Sequence, residues 1–205
     1  MPPEDLSPLP SRSILDLVVK RDDAGKWLVL DSAIVIETPY LRLRRDSIEL
    51  PDGQRIQDYY VRESSGFAVI FAQLPDGRVV LVRQYKHGIG ESVLELPAGA
   101  IDAGETPAEC ARRELEEETG HVGNPAEPEL VATFITDPTN SNARFQLFHV
   151  HDATACVAQR PDPTEQIELV FATLEELREY VRDGTVNVGS HVASIYTMLD
   201  RLGRL

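Results

Sequence analysis

The sequence predicts an α+β fold: a mixed β-sheet sandwich flanked by helices, with an antiparallel β region at its N-terminal end. Three observations predict it. Alternating apolar runs fill the first half and are joined by turn signals. A capped amphipathic segment interrupts them at mid-chain. Further strand runs and two more helical segments follow. Strands in sequence with helices on their faces form one of the few arrangements that bury both kinds of apolar surface.

Residues 1–12 are rich in proline with no apolar core, which predicts a flexible segment and no signal peptide. Residues 13–58 read as an N-terminal β region. LDLVVKRDDAGKWLVLDSAIVIE places DDAG between two apolar runs, and YLRLRRDSIELPDGQRIQDYYV places PDG between alternating ones. FAVIFAQLPDGRVVLVRQY repeats the pattern around Pro75-Asp76-Gly77. Asp-Gly between alternating hydrophobics predicts a hairpin, because the turn needs residues that tolerate positive φ. Residues 59–205 read as the main domain.

Thr106-Pro107-Ala108-Glu109 predicts a helix start. Thr106 can cap, Pro107 suits the first helical position, and Glu109 completes a capping box. Gly120 supplies the stop, so the helix is expected over 107–119. ELVATFIT, FQLFHVHDA and IELVFATL follow as strands. Thr173 to Glu176 repeats the capping box for a helix ending near Gly184, and HVASIYTMLDRL is a last amphipathic helix.

The 205 residues carry a formal net charge of −14 with 42% hydrophobic residues, enough for a core. That charge argues against nucleic acid or an anionic membrane as partner, since both would be repelled. No stretch approaches the roughly 20 apolar residues that a membrane helix needs. Two cysteines, Cys110 and Cys156, suggest neither a disulfide framework nor a zinc site, so a cytoplasmic, reducing location is expected.

Glu114, Glu116, Glu117 and Glu118 crowd one helix end. Residues three and four apart share a helix face, so Glu114 and Glu118 are neighbours with Glu117 beside them, while Glu116 points away. The usual lysine partners are missing and the two arginines, Arg112 and Arg113, sit one turn back, so the repulsion is read as unrelieved. The spacing favours a divalent-metal site over a solvated acidic face, because a hard cation such as Mg²⁺ is bound by carboxylate oxygens. In the preceding loop, LPAGAIDAGE, Gly99 and Gly104 allow close approach, and the Ala98 carbonyl could join the metal shell.

Gly99, five residues to Glu105, seven to Arg113-Glu114, then Leu115-x-Glu117-Glu118-x-Gly120 resembles the Nudix box, G-x5-E-x7-R-E-U-x-E-E-x-G-U with U aliphatic. Every fixed position matches. The last aliphatic position departs, being His121. The flanks VVLVRQYKHGIGESVLELPAG and TEQIELVFATLEEL, with the β-rich N-terminal region, are similar to the ADP-ribose pyrophosphatase and nucleoside diphosphate sugar hydrolase branch of that family.

This resemblance implies a Nudix fold and a Nudix hydrolase domain over residues 59–205. It implies metal-dependent attack of water on a diphosphate, giving a nucleoside monophosphate and a sugar phosphate. Glu114, Glu118, Glu117 and the Ala98 carbonyl are the implied ligands of Mg²⁺ or Mn²⁺, with Glu117 also a candidate for orienting water. Glu105 and Arg113 are expected to pair and hold the loop against the helix. Arg83 and Lys86, flanking Gln84-Tyr85 at a strand end, are candidate phosphate contacts, and Glu95 either faces the site or ends a strand.

The general base falls to Asp162 or Glu165 in QRPDPTEQIEL, and the resemblance tips the choice to Glu165. In TDPTNSNARF, Pro138 is kept where relatives often carry Pro-Gly, but no glycine follows it. The histidines, His87, His121, His149, His151 and His191, show no ligand spacing and are read as surface or core residues. Cys110 is read as packing and Trp27 as a core or interface residue. A homodimer is expected through the N-terminal β region. The rival readings are a hydrolase of another nucleoside diphosphate derivative, such as a dinucleotide, and a non-catalytic nucleotide sensor. The three retained glutamates argue against the sensor.

Overall fold

The computed structural model describes residues 25–123, 127–161 and 166–205. The chain divides into two compact units, one of the described residues up to Ser32 together with Asp46–Tyr59, the other of Ala33–Arg45 together with Tyr60–Leu205. Strands β1 (Leu28–Glu37), β2 (Arg42–Glu49) and β3 (Arg55–Glu63) form a three-stranded sheet in that order. Its Pro51-Asp52-Gly53 connection folds as the sequence predicts: Gly53 takes φ +85° and donates its N–H to the Leu50 carbonyl at 2.9 Å. The first strand of the DDAG hairpin lies outside the described residues.

In the larger unit, β4 (Phe67–Ala72), β5 (Val79–Lys86), β6 (Glu91–Glu95) and β7 (Ala98–Ala100) precede helix α1 (Pro107–Thr119). Then come β8 (His121–Val122), β9 (Glu129–Ile135), β10 (Arg144–Val150), β11 (Thr154–Ala155), β12 (Glu168–Ala172), α2 (Leu174–Arg182) and α3 (Gly189–Arg201). One sheet runs β7-β4-β10-β9, a second β12-β5-β6, and a short ladder joins β11 to β8. The β4–β10 pair is parallel, while β7 and β9 pair antiparallel at either edge, so this sheet is mixed.

The hairpin expected at Pro75-Asp76-Gly77 needs correction. Its turn forms, with Leu74 N–H to the Arg78 carbonyl at 2.8 Å, but β4 and β5 enter different sheets and meet only in the single bridge Gln73↔Val79. Burial explains the divergence. Ala68, Ile70 and Ala72 face Ala111 and Leu115 of α1, whereas Val69 and Phe71 face Ile195, Met198 and Leu199 of α3. A strand buried on both faces belongs at the centre of a sheet, and β4 and β5 each become one.

Both capping boxes form, at Thr106/Glu109 and at Thr173/Glu176. Each cap satisfies backbone N–H groups that have no partner inside the helix, worth about 1 kcal/mol. Helix α1 buries Cys110, Ala111 and Leu115; full burial of a leucine contributes roughly 1.5–3 kcal/mol. Gly120 ends the helix at φ 70°, and a Cβ there would stand 2.3 Å from the Val157 carbonyl oxygen. Among the described residues no helix is long and apolar enough to cross a membrane.

Candidate active site

Strand β7 and helix α1 build the site between them. The register Val69↔Ala98 and Ala68↔Gly99 holds β7 on the edge of the sheet, directly against α1. Glu118 is 1% exposed, and its Oε2 accepts the Ala98 N–H at 3.0 Å. Gly99 lies so close to Glu114 that a Cβ there would stand 1.9 Å from the carboxyl carbon. The glycine thus lets backbone and carboxylate share one small space.

Arg113 is the organiser of the cluster. Its Nε and Nη2 donate to the two Glu105 oxygens at 2.8 and 2.9 Å, the bidentate fork that guanidinium geometry suits. Nη2 also donates to the Ala100 carbonyl at 3.1 Å, tying loop to helix. Glu105 in turn accepts the Asp102 N–H, and the Arg113 hydrogen bonds hold its carboxyl below the usual range. This is the pairing the sequence predicts.

The reading of an unrelieved acidic cluster is corrected by the same residue. Arg113 Nη1 donates to Glu114 at 2.6 Å and to Glu117 at 3.1 Å. An arginine adjacent to Glu114 and four residues before Glu117 reaches both, because its side chain is long and its five donors fan out. Glu116 points away and pairs with Arg160 at 3.4 Å.

The donor set suits a hard divalent cation. Glu114 and Glu118 lie against the β7 backbone with Glu117 beside them on Arg113, and every candidate donor is oxygen. The glycine-opened space beside Glu114 and the burial of Glu118 place those oxygens where an ion could be held. Cys110 is no competitor: its Sγ donates to the Gly99 and Ala100 carbonyls, and burial, with Glu114 and Glu105 nearby, pushes the thiol up to about 12.

Residues 64–189 match the family model of the NUDIX domain. The chain belongs to the Nudix family. Residues 27–61 match the nucleoside diphosphate sugar hydrolase N-terminal domain. The chain is 32% identical over 147 residues to a methanol dehydrogenase activator of Bacillus methanolicus, covering 70% of this chain and 76% of that one. It is 28% identical over 142 residues to an ADP-ribose pyrophosphatase of Bacillus subtilis, covering 69% and 75%. To an ADP-sugar pyrophosphatase of Mus musculus it is 53% identical over 113 residues, covering 50% and 52%. A crystal structure of an ADP compounds hydrolase superposes with a TM-score of 0.75 at 21% identity, covering 88% of this chain and 97% of that one, and so shares the fold.

Within this Nudix site the outer residues are distributed unevenly. Arg83 and Lys86 stand three apart on β5, so strand alternation sends them to opposite faces. Arg83 reaches Glu168 at 3.6 Å, its register partner on β12. Lys86 Nζ lies 3.2 Å from Glu95 Oε2. The structure therefore does not bring the two basic residues together.

Glu95 is 5% exposed and is held by Lys86, by Gln84 at 3.4 Å and by His191 at 3.3 Å. His191 Nδ1 accepts the Leu96 N–H, which leaves the proton on Nε2 to donate to Glu95. Burial opposes ionisation of Glu95, but His191 and Lys86 outweigh it and hold the carboxyl below its usual value. The sequence reading missed His191 as a partner because it comes from α3, far along the chain. His121 is buried where the motif has an aliphatic residue: its Nδ1 donates to the Thr119 carbonyl at 2.8 Å and its ring tilts against Phe171.

Asp162 and Glu165 lie outside the described residues. The segment leading to them is anchored on the glutamate-bearing end of α1. Gln159 Nε2 donates to the Glu118 carbonyl at 2.6 Å and Arg160 N–H to the Glu117 carbonyl at 2.8 Å. A cleft of about 760 Å³ opens there, with Glu105, Arg113, Glu117, Val150 and Arg160 in its wall; Glu114 and Glu118 turn instead toward β7. A second cleft of about 530 Å³ lies beside the loop at Pro138. That loop is clamped to the end of β3 by Arg62 N–H to the Asn140 carbonyl at 2.7 Å and Ser64 N–H to Asn142 Oδ1 at 2.9 Å.

Gly99→Ala provides a test of the close approach. The group a new Cβ meets is a flexible carboxylate, so Glu114 should swing away while the fold survives. The expected result is a Tm within about 2–4 °C of the parent, a cost near 1 kcal/mol, with kcat/KM down about 10²-fold, as misplacement of a catalytic group can cost. A large loss of Tm with activity kept would mean that the glycine serves the backbone alone.

Proposed function

We propose that this Nudix enzyme hydrolyses the diphosphate bond of ADP-ribose or a related nucleoside diphosphate sugar, releasing a nucleoside monophosphate and a sugar phosphate. The observation that carries the reading is that Glu118 and Glu114 turn onto the Ala98–Gly99 strand while Arg113 holds Glu114 and the neighbouring Glu117. The match over residues 27–61 and the ADP-ribose and ADP-sugar pyrophosphatases among the relatives support the substrate class.

Nudix hydrolases generally need a divalent metal, and we assign Mg²⁺, with Mn²⁺ as substitute, to Glu114, Glu117, Glu118 and the Ala98 carbonyl. When bound, such an ion cancels diphosphate charge and lowers the pKa of a coordinated water. It also reverses the local sign in a chain of net charge −14 that must attract an anion. Arg113 and Glu105 keep the carboxylates oriented. Lys86, positioned by Glu95, offers a point charge to a phosphate, and Glu165 is assigned as general base. Arg83, on the opposite strand face, is the weaker of the two proposed phosphate contacts.

A dinucleotide is the second substrate reading, since it presents the same kind of phosphoric anhydride bond to the site. The protein, with Mg²⁺ or Mn²⁺, should be incubated with ADP-ribose, other nucleoside diphosphate sugars and dinucleotides, and the products separated by chromatography. AMP and ribose 5-phosphate from ADP-ribose are expected. Release from dinucleotides alone supports the second reading, and no cleavage of any would remove both.

We also propose a cytoplasmic homodimer. Two free cysteines suit a reducing compartment. Among the described residues β1 stands at the edge of its sheet and exposes Leu28, Val29, Leu30, Ile34, Val35 and Ile36, a surface that invites a second copy. Sedimentation at twice the chain mass at micromolar concentration is expected; a monomer alone would refute the dimer.

A further inference from the structure

Away from α1, the end of β10 brings three metal-binding side chains together. In the β9–β10 ladder His149 stands opposite Glu129. The register shifts between Leu147 and Phe148, where β9 carries the extra residue Val131. Such a bulge re-aims the side chains beyond it. His151 follows two residues after His149, so strand alternation returns it to the same face, and Asp152 then takes a left-handed φ of 47° that ends the run. The two imidazole rings lie 3.7 Å apart between centroids. One nitrogen of each histidine and a Glu129 oxygen all fall within 4.8 Å of one another.

The chemistry of these groups is unusual for a structural cluster. His149 is 2% exposed, packed edge-on against Phe71, and its Nε2 has no hydrogen-bond partner among the described residues. Buried polar atoms are almost always satisfied, so this nitrogen calls for a ligand. Burial pushes His149 down to about 4 and keeps the ring neutral, the form that coordinates a metal. Burial opposes ionisation of Glu129, but Arg201 and His151 outweigh it and keep its carboxyl below the usual value. Arg201, in the last turn of α3, holds Glu129 Oε1, while Oε2 turns to His151 Nε2 at 3.5 Å. A second partner of this kind fixes the orientation of a ligating carboxylate.

We propose that Glu129, His149 and His151 form a second metal site, separate from the glutamates of α1, that takes a late first-row divalent ion such as Zn²⁺. Two imidazoles and one carboxylate match the donors that Zn²⁺ accepts, with room for a further ligand. Mg²⁺ prefers oxygen donors throughout. The two sites should therefore sort ions by donor type within one chain.

The test uses the full chain, stripped with chelator and then held in excess Mg²⁺ so that the α1 carboxylates are engaged. Zn²⁺ is titrated by calorimetry and Co²⁺ by its visible absorption. One equivalent per chain is expected, with Co²⁺ bands that indicate nitrogen ligation. His151→Ala, which removes a half-exposed ligand, should weaken binding by roughly 100-fold or more, since loss of a mere supporting partner already costs about 10–100-fold. Glu129→Gln should weaken it as well, whereas Glu118→Gln should bind Zn²⁺ as the parent does. Circular dichroism checks that each variant is folded. No Zn²⁺ binding in excess Mg²⁺, or binding that survives His151→Ala and is lost in Glu118→Gln, would overturn the proposal.

Discussion

Glu118→Gln is expected to lower turnover by more than about 100-fold while leaving the fold intact. The two effects separate because the side chain has two jobs. Its Oε2 accepts the Ala98 N–H and so helps dock β7 on α1, and a glutamine carbonyl can accept the same bond. Its negative charge lies one helical turn from Glu114, where like charges cost roughly 0.2–0.5 kcal/mol. Removing that charge relieves the helix, so Tm should stay level or rise slightly. A neutral amide is, however, a poor ligand for a hard cation, and loss of an outer partner of a ligand alone costs about 10–100-fold. Steady-state kinetics over a Mg²⁺ series, with a thermal melt beside it, checks both halves. Full turnover in the variant, or in excess chelator, would remove the metal-site reading; a collapsed melt would mean that Glu118 is held for structure.

Much of this site was legible because its signals are local. The capping box at Thr106, the Gly120 stop and the spacing of Glu105, Arg113 and the glutamates all lie within about six helical turns of chain. Each constrains its neighbours directly, and α1 spans Pro107–Thr119 as expected. What failed to read out depends on distant partners. The Pro75-Asp76-Gly77 turn was correct as a turn, but turn chemistry does not say which strand will pair. That was decided by α1 and α3, which bury both faces of β4.

Arg113 was taken to sit a turn away from the repulsion, yet its fork reaches Glu114 and Glu117 as well as Glu105. Its i,i+4 spacing to Glu117 was a usable signal. His149 and His151 looked ordinary because their third partner, Glu129, lies on another strand. The His-x-His alternation at the end of a strand was there to be seen, but it gains meaning only once β9 supplies the carboxylate.

The general base is where sequence and structure have to be combined. A carboxylate engaged with a cation is a poor proton acceptor, and Glu117 is further committed to Arg113 at 3.1 Å. Another acid must then act within hydrogen-bond reach of the attacking water. Arg160 is bonded to the Glu117 carbonyl, and Glu165 follows five residues later in the chain. A loop acid introduced from such an anchor can complete a site when substrate binds. Glu165→Gln is therefore expected to lower kcat by roughly 10²–10⁴-fold, the range for a positioned acid–base group, with Mg²⁺ affinity unchanged. Asp162→Asn should do much less, because it is Glu165, just before IELV in the sequence, that resembles the loop glutamate of related hydrolases. The pH profile adds a second readout, since loss of the base should remove the acid limb of kcat whereas a purely structural change would scale the whole profile. If Glu165→Gln keeps near-normal kcat while Glu117→Gln loses it, the base sits on the helix, and Arg113 must release Glu117 for the reaction.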